Sequence, residues 1–489
     1  MDEGARKWRT LAVVGTAFFM TVLDVSIVNV ALPSIGKGLA ISNSSLEWIV
    51  IGYAITFGGF LLLAGRGADL IGRRRIFVAG MALFTAASLV CGFASSDIWL
   101  ISTRMVQGVG AAATAASSLA IVMTEFEEGA ERNKALGIWG ALGGSGSAVG
   151  VLAGGVLTSE LGWQWIFWVN VPVGVAVLAL TLPVVRESRI ETGTRQFDAL
   201  GAISATASLV LVTYAISKAP SVGWLTARTI GLLAAATVLA LGFLVIERRA
   251  ERPLMPLRIL RVKTVTAANV AGFMLGATIF ANFYLLTLYV QQVLGWSALR
   301  TGVTFLATAG AAVLWSGVAQ ALATRLGTRA VLSAGFVLLG VSFVTYTQLP
   351  VSGSYPRDLL PGYLISAAGI AFSFVAVSIA ALAGVRSDDA GLASGLINTN
   401  QEVGGAVGLA IVATVLNSRT SSLIASGVAR PLAATEGFRL AFWVLVGIAF
   451  VGAVFSALAV RELRRPSEDT VPSEVEKREE AEEERGLAA

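Results

Sequence analysis

Apolar runs long enough to cross a bilayer recur fourteen times along this chain, and that repetition restricts the fold more than any other feature. The runs cover 10–32, 46–65, 76–95, 98–122, 135–158, 165–185, 198–217, 228–246, 265–290, 302–323, 330–348, 361–384, 395–416 and 438–460. A run of about 20 apolar residues spans the hydrocarbon core as a helix. In lipid the backbone must satisfy its own hydrogen bonds, which leaves helices or closed barrels. Only 14% of the 489 residues are charged, against about a quarter in a soluble domain, and the mean hydropathy is +0.75. Both values point to a polytopic membrane protein. Histidine is absent, which excludes histidine relays, triads and metal sites. The single cysteine, Cys91, excludes an intrachain disulfide. Arg6, Lys7 and Arg9 precede a first run too long for a cleavable signal.

Lysine and arginine orient the spans. With the N-terminus in the cytoplasm, the cytoplasmic segments carry 27 of these residues and the external ones 7, which puts both termini inside. "GRGADLIGRRRIFVAG" (65–80) returns as "QALATRLGTRAVLSAG" (320–335), with Gly72 over Gly327 and Gly80 over Gly335. A repeat of this kind is what two six-helix halves of one topology leave behind. The expectation is therefore an all-α integral membrane fold of fourteen transmembrane helices. One six-helix bundle occupies 1–190, two linker helices with basic cytoplasmic loops 191–263, and a second six-helix bundle 264–463. Residues 464–489 form an acidic tail expected to be disordered. Basic residues spread over many loops face an anionic inner leaflet and give no nucleic-acid surface.

Six motifs occur in order: "LDVSIVNVALPSI" (23–35), "WIVIGY" (48–53), "GRGADLIGRRR" (65–75), "RMVQGVGAA" (104–112), "GSAVGVLAGG" (146–155) and "WQWIFWVNVPVG" (163–174). With them the chain resembles the fourteen-span drug/proton antiporters of the major facilitator superfamily over nearly all of 10–460. It departs from their pattern at Val151, where proline is usual, and at Gly67 and Leu70 beside Asp69. Thr324 stands where the first repeat has Asp69, and Gln401–Glu402 where Arg and Gln are more usual.

Three charges inside spans need a partner, a wet cavity or a function. Asp24 lies past the middle of the first run, where a carboxyl in low dielectric favours its neutral form and can hold a proton. Helix packing through a hydrogen bond is the alternative. Arg104 shares a helix face with Gln107, Gly108 and Ala111. It stays charged, so it tunes a neighbouring acid rather than carrying the proton, and the resemblance gives it a coupling role. Glu402 shares a face with Asn398 and Gly405. It is either a second proton site, an anion for cationic substrates, or an acid near the cytoplasmic interface.

In the loop motif, Gly65 and Gly72 allow a tight turn, and Asp69 is suited to capping a helix N-terminus. By resemblance, Asp69 with Arg73 and Arg74 latches the cytoplasmic side, and Arg132 is a candidate partner. Gly146, Gly150 and Gly154, four apart and followed by Gly155, form a smooth stripe expected at the interface between the halves. Polar and aromatic residues in the spans are candidates to line a cavity: Asn29, Trp48, Tyr53, Gln107 and Trp139 in the first half. Asn269, Phe273, Tyr284 and Asn398 are their counterparts in the second. Such a lining suits large, flat, partly apolar cations.

No P-loop, metal cluster or nucleophile–base set is present in the sequence, which argues against an ATP-driven pump or an enzyme. The resemblance implies a monomeric exporter of drug-like small molecules in the cell membrane. It would work by alternating access and be driven by the proton gradient, with no cofactor. An exporter or flippase for an endogenous lipid or metabolite is the alternative on the same fold.

Overall fold

The computed structural model describes residues 3–126, 130–188, 199–250, 262–383 and 390–460. These form α1 (Glu3–Gly38), α2 (Asn43–Ile71), α3 (Arg73–Cys91), α4 (Asp97–Glu125), α5 (Ala130–Glu160), α6 (Trp165–Trp168), α7 (Asn170–Val184) and α8 (Ala199–Val222). They continue as α9 (Ala227–Arg249), α10 (Lys263–Leu288), α11 (Ala298–Leu326), α12 (Thr328–Tyr346), α13 (Leu360–Leu382), α14 (Ala390–Ala425) and α15 (Arg430–Ala459). π turns over Tyr289–Val293 and Tyr355–Leu359 extend α10 and lead into α13. The acidic tail and parts of the basic loops lie outside the described residues.

Among the described residues, helix lies over most of each of the fourteen apolar runs. Eleven helical segments are long and apolar enough to cross a membrane by length and composition. α2 and α8 contribute shorter apolar stretches, Ser45–Leu61 and Ile203–Ile216. The glycine- and serine-rich α5 is diluted in the same way. Length and composition thus support eleven crossings among the described residues.

Helix starts follow local chemistry. Ser42, Ser96, Thr226 and Ser297 each accept from the backbone N–H three residues on, capping α2, α4, α9 and α11. α3 and α12 start differently, and the sequence repeat explains how. Gly72 (φ +131°) and Gly327 (φ +85°) break the chain between α2 and α3 and between α11 and α12. Their N–H groups donate to Ala68 and Ala323, which are also equivalent in the repeat. Gly80 lets α3 approach the Gly110 carbonyl of α4, and Gly335 lets α12 approach that of Gly369 in α13.

Without a hydrophobic drive between helices in lipid, small residues that admit another backbone decide contacts. A Cβ at Gly146, Gly150 or Gly154 would meet the carbonyl oxygens of Phe19, Leu23 and Ile27 at 2.7, 2.7 and 2.9 Å. The stripe therefore packs on three successive turns of α1, which corrects its expected place between the halves. The second half's helix is reached instead by Gly155, whose Cβ would lie 2.8 Å from the Leu299 Cα of α11, while Gly302 of α11 lies against the Val151 carbonyl. Val151, at the proline position, is buried in this contact.

Among the described residues, three hydrogen bonds join α1, α2 and α5 to α10, α11 and α14 at the end of the bundle away from the N-terminus. Gln291 donates to the Val30 carbonyl at 2.8 Å, Asn417 to Glu47 at 2.7 Å, and the Leu299 N–H to Ser159 at 3.2 Å. α8 packs on both α2 and α14. Thr206 donates to the Gly59 carbonyl at 2.8 Å, and Tyr214 lies beside Trp48. α9 is seated on α8 and exposes Val238, Leu241 and Val245, a surface that lipid covers.

Gly150→Ala is expected to force α1 and α5 apart and cost about 1–3 kcal/mol. Gly242→Ala, with open space around its Cβ on α9, should be neutral or gain up to about 1 kcal/mol from helix propensity. Thermal unfolding of the purified protein in detergent compares them, and equal midpoints would refute backbone packing at Gly150.

Candidate functional site

Asp24 is fully buried in the middle of α1, and its carboxylate is saturated with donors. Arg104 Nη1 of α4 reaches Oδ2 at 2.5 Å. Gln107 Nε2 and Asn170 Nδ2 reach Oδ1 at 2.9 and 3.0 Å. Ser88 of α3 accepts from both amides, at 2.8 and 3.1 Å. Arg104 donates also to Gln107 Oε1 at 2.7 Å and to the Ile49 carbonyl at 3.4 Å. Its guanidinium stacks 4.1 Å from the Tyr53 ring centre and faces Phe167 at 5.9 Å. With side chains 1% and 0% exposed, neither charge has water to fall back on. Each therefore depends on the other and on the amides.

The sequence brings these groups together by helix periodicity. Arg104 and Gln107 are one turn apart on α4, and Gly108 lets that face approach α2 at Tyr53 and Thr56. Asn170 and Ser88 were not among the sequence candidates. Asn170 sits inside the "WVNVPVG" motif, and only the structure turns its amide toward Asp24.

Glu402 lies on α14, facing Gly58 of α2, where a Cβ would come 3.0 Å from its own Cβ. Oε2 of Glu402, the Tyr53 hydroxyl and Thr399 Oγ1 are all buried without a hydrogen-bond partner. Tyr53 interacts electrostatically with Asp24, Arg104 and Glu402. The saturated pair and the unsatisfied acid thus flank one tyrosine, and Glu402 lies deep in the helix rather than at its edge.

The remaining candidates scatter. Asn269 accepts from Asn400 at 2.8 Å across α10 and α14. Phe273 offers its backbone to Gly404. Asn29 donates to the Val25 carbonyl of its own helix at 2.9 Å. Trp139 stacks on Phe18 at 3.8 Å and donates to Ser118 at 3.0 Å. Tyr284 is fully buried beside the α2–α14 seam, and Asn398 is half-buried on α14.

The loop motif is rearranged relative to expectation. Gly65 and Asp69 belong to the last turns of α2, and only Gly72 breaks the helix. The acid that caps α3 is Glu187, after α7. Its Oε1 accepts from the Arg74 N–H at 3.1 Å, and Oε2 lies 3.9 and 3.7 Å from the Arg74 and Arg75 side chains. A carboxylate at a helix N-terminus complements the macrodipole. The Arg73 N–H donates to the Ser188 carbonyl at 3.0 Å, and Arg132 Nε to that of Phe126 at 2.9 Å. The Asp69 side chain lies outside the described atoms.

Residues 14–409 match the family model described as Major Facilitator Superfamily. The chain belongs to that superfamily. It is 38% identical over 412 residues to the cephamycin export protein CmcT of Amycolatopsis lactamdurans, covering 83% of this chain and 84% of that one. It is 34% identical over 472 residues to the puromycin resistance protein pur8 of Streptomyces alboniger, covering 95% and 93%. The crystal structure of the POT family transporter PepTSo superposes with a TM-score of 0.69 at 14% identity, over 93% of this chain and 98% of that one. This superfamily member is a multi-span membrane transporter and not an enzyme.

Arg104→Met alone strands the buried Asp24 carboxylate and is expected to cost about 3–5 kcal/mol. Asp24→Asn together with Arg104→Met should recover most of that loss. Relative unfolding midpoints of wild type, both single variants and the double variant measure the coupling. Additive losses would mean that the two residues do not act as a pair.

Proposed function

We propose that this transporter is a proton-coupled exporter of drug-like, lipophilic or cationic small molecules, working by alternating access as a member of the fourteen-helix antiporters. Its relatives are named for cephamycin export and puromycin resistance, which supports the substrate class. The observation that carries the coupling is the contrast across Tyr53. Asp24 is held by Arg104 and two amides, whereas the buried Glu402 Oε2 has no partner. An uncompensated buried carboxyl oxygen is costly as an anion, so Glu402 is poised to take either a proton or a cationic substrate. When either binds, Tyr53 conveys the change in field to the Asp24–Arg104 pair.

In the proposed topology both termini are cytoplasmic, as the excess of arginine and lysine on that side supports, and the membrane is the cell membrane. Helices of 1–190 and 264–463 form the two six-helix bundles and 191–263 links them, while 464–489 lies outside the described residues. The bonded end described above is then external, so the protein is closed to the outside. Asp69, Arg73, Arg74 and Arg132 would latch the opposite side when it closes. The functional unit is a monomer.

Proteoliposomes with an imposed pH gradient test this. Wild type should drive ethidium flux, and Asp24→Asn and Glu402→Gln should each lower the gradient-driven rate by about 100-fold or more, the size of one lost proton-transfer role. Absence of gradient-dependent flux for any of several lipophilic cations would overturn the proposal. Full activity in Asp24→Asn would remove that residue from coupling.

A further inference from the structure

A second acid lies on the same α2–α14 seam as Glu402, near one end. Glu47 stands in the second turn of α2 and is 3% exposed. Its Oε1 accepts from Asn417 Nδ2 of α14 at 2.7 Å. Eleven residues of α2 separate it from Gly58, which faces Glu402, or roughly 16 Å along the axis. The seam therefore carries a carboxyl group near one end and another deep inside.

The surroundings of Glu47 bring several elements to one point. Lys218 of α8 and Tyr284 of α10 interact with it electrostatically. The Tyr284 hydroxyl is buried without a hydrogen-bond partner. From α4, Asp97 accepts from Ser45, the α2 residue two positions before Glu47, at 2.8 Å, and it also interacts with Lys218. Deeper on α4, Arg104 is engaged with Asp24 of α1. The charges that α3 brings to α2, Arg73 to Arg75, lie at the opposite end of the helix.

We propose that Glu47 is a further proton-binding site of the transporter, which takes up a proton from the far-side solution as the α2–α14 seam closes over it. Opening the seam separates Glu47 from Asn417 and returns the carboxyl to water. Closing it strips that water and leaves a neutral amide as the direct partner. A neutral acid is buried at far lower cost than a carboxylate. The Asn417 amide can still donate to the carbonyl oxygen of the protonated acid, so the tie between α2 and α14 survives protonation. The chemistry is balanced: one carboxylate and one proton give one carboxylic acid, with no other bond changed. A place for this step in a transport cycle rests on the antiport proposal, but the linkage between protonation and closure does not.

The test reads the seam directly. Ser95→Cys and Ser352→Cys put nitroxide labels on two exposed positions, one in each half, at the Glu47 end. The buried Cys91 is retained. Electron–electron distance distributions of the full chain in nanodiscs are recorded from acidic to alkaline buffer, without substrate or gradient. Wild type should move from the short to the long distance as pH rises. Glu47→Gln, a permanently neutral isostere, should hold the short distance at alkaline pH, raising the closed-to-open ratio by about tenfold, the linkage of one pH unit. Asn417→Ala, which keeps the acid and removes its partner, should lower that ratio throughout. Superimposed curves for Glu47→Gln and wild type, or an unchanged ratio in Asn417→Ala, would overturn the proposal. Failure of antiport would instead appear as absent gradient-driven flux in the unlabelled protein, so the two failures are distinguishable.

Discussion

Asp24 and Arg104 can be buried only together. A carboxylate or a guanidinium alone at this depth would carry a desolvation penalty of several kcal/mol. Paired, and with Gln107 and Asn170 completing the carboxylate's shell, they become a fixed point where α1, α4 and α7 meet, with α3 joined through Ser88. The Tyr53 ring closes the other face of the guanidinium from α2. Five helices are therefore positioned by one ion pair. The glycine stripe of α5 acts on the same helix from outside, since it fits the α1 backbone at Phe19, Leu23 and Ile27, on the turns around Asp24. Displacing α1 would disturb the ion pair and the stripe at once.

The same economy explains where motion is allowed. Contacts within the first group of helices are mediated by buried charge and by backbone seated on glycine. Among the described residues, contacts between that group and α10, α11 and α14 include a few hydrogen bonds at one end, the close approaches at Gly155 and Gly302, and that of Glu402 to Gly58. A seam held by a few neutral or singly charged hydrogen bonds, each worth about 0.5–3 kcal/mol, can open without dismantling either side. α8, packed on both α2 and α14, lies along that seam, a location that the sequence could not supply.

Much of this was legible before any coordinates. Apolar run length located helical segments because lipid leaves the backbone so little choice, and eleven of them are long and apolar enough to cross a membrane. The repeat of Gly72 and Gly80 with Gly327 and Gly335 anticipated matching breaks and matching close approaches, since glycine is needed in both places for steric reasons. Asp24 and Arg104 stood out because charge in an apolar run demands an explanation. Partners without charge were harder to see. Asn170 and Ser88 look like ordinary polar residues until the helices are assembled. Glu187 and Glu47 fell at predicted segment edges, where an acid is unremarkable in sequence. The glycine stripe revealed close packing but not its partner, because a smooth face is equally suited to α1 and α11. The glycine-rich "GRGADLIG" reads as a loop around Asp69, yet α2 continues to Ile71 and only Gly72 has the positive φ that ends it.

The placement of three acids by depth and partner gives the coupling proposal its physical content. Asp24 has a full set of donors including a cation, Glu402 has a buried oxygen with none, and Glu47 has one amide from across the seam. The burial cost of a charge falls as donors accumulate and as a counter-charge approaches, so the three carboxyl groups differ in how strongly they depend on the seam being shut. Asp24 is bonded within its own group of helices, and Tyr53 stands beside both its partner Arg104 and the seam. Glu402 and Glu47 face it directly, so any opening changes their solvation. A proton bound at either is therefore linked to the position of α14 relative to α2. By the reciprocity of linkage, whatever moves α14 must also change proton affinity there.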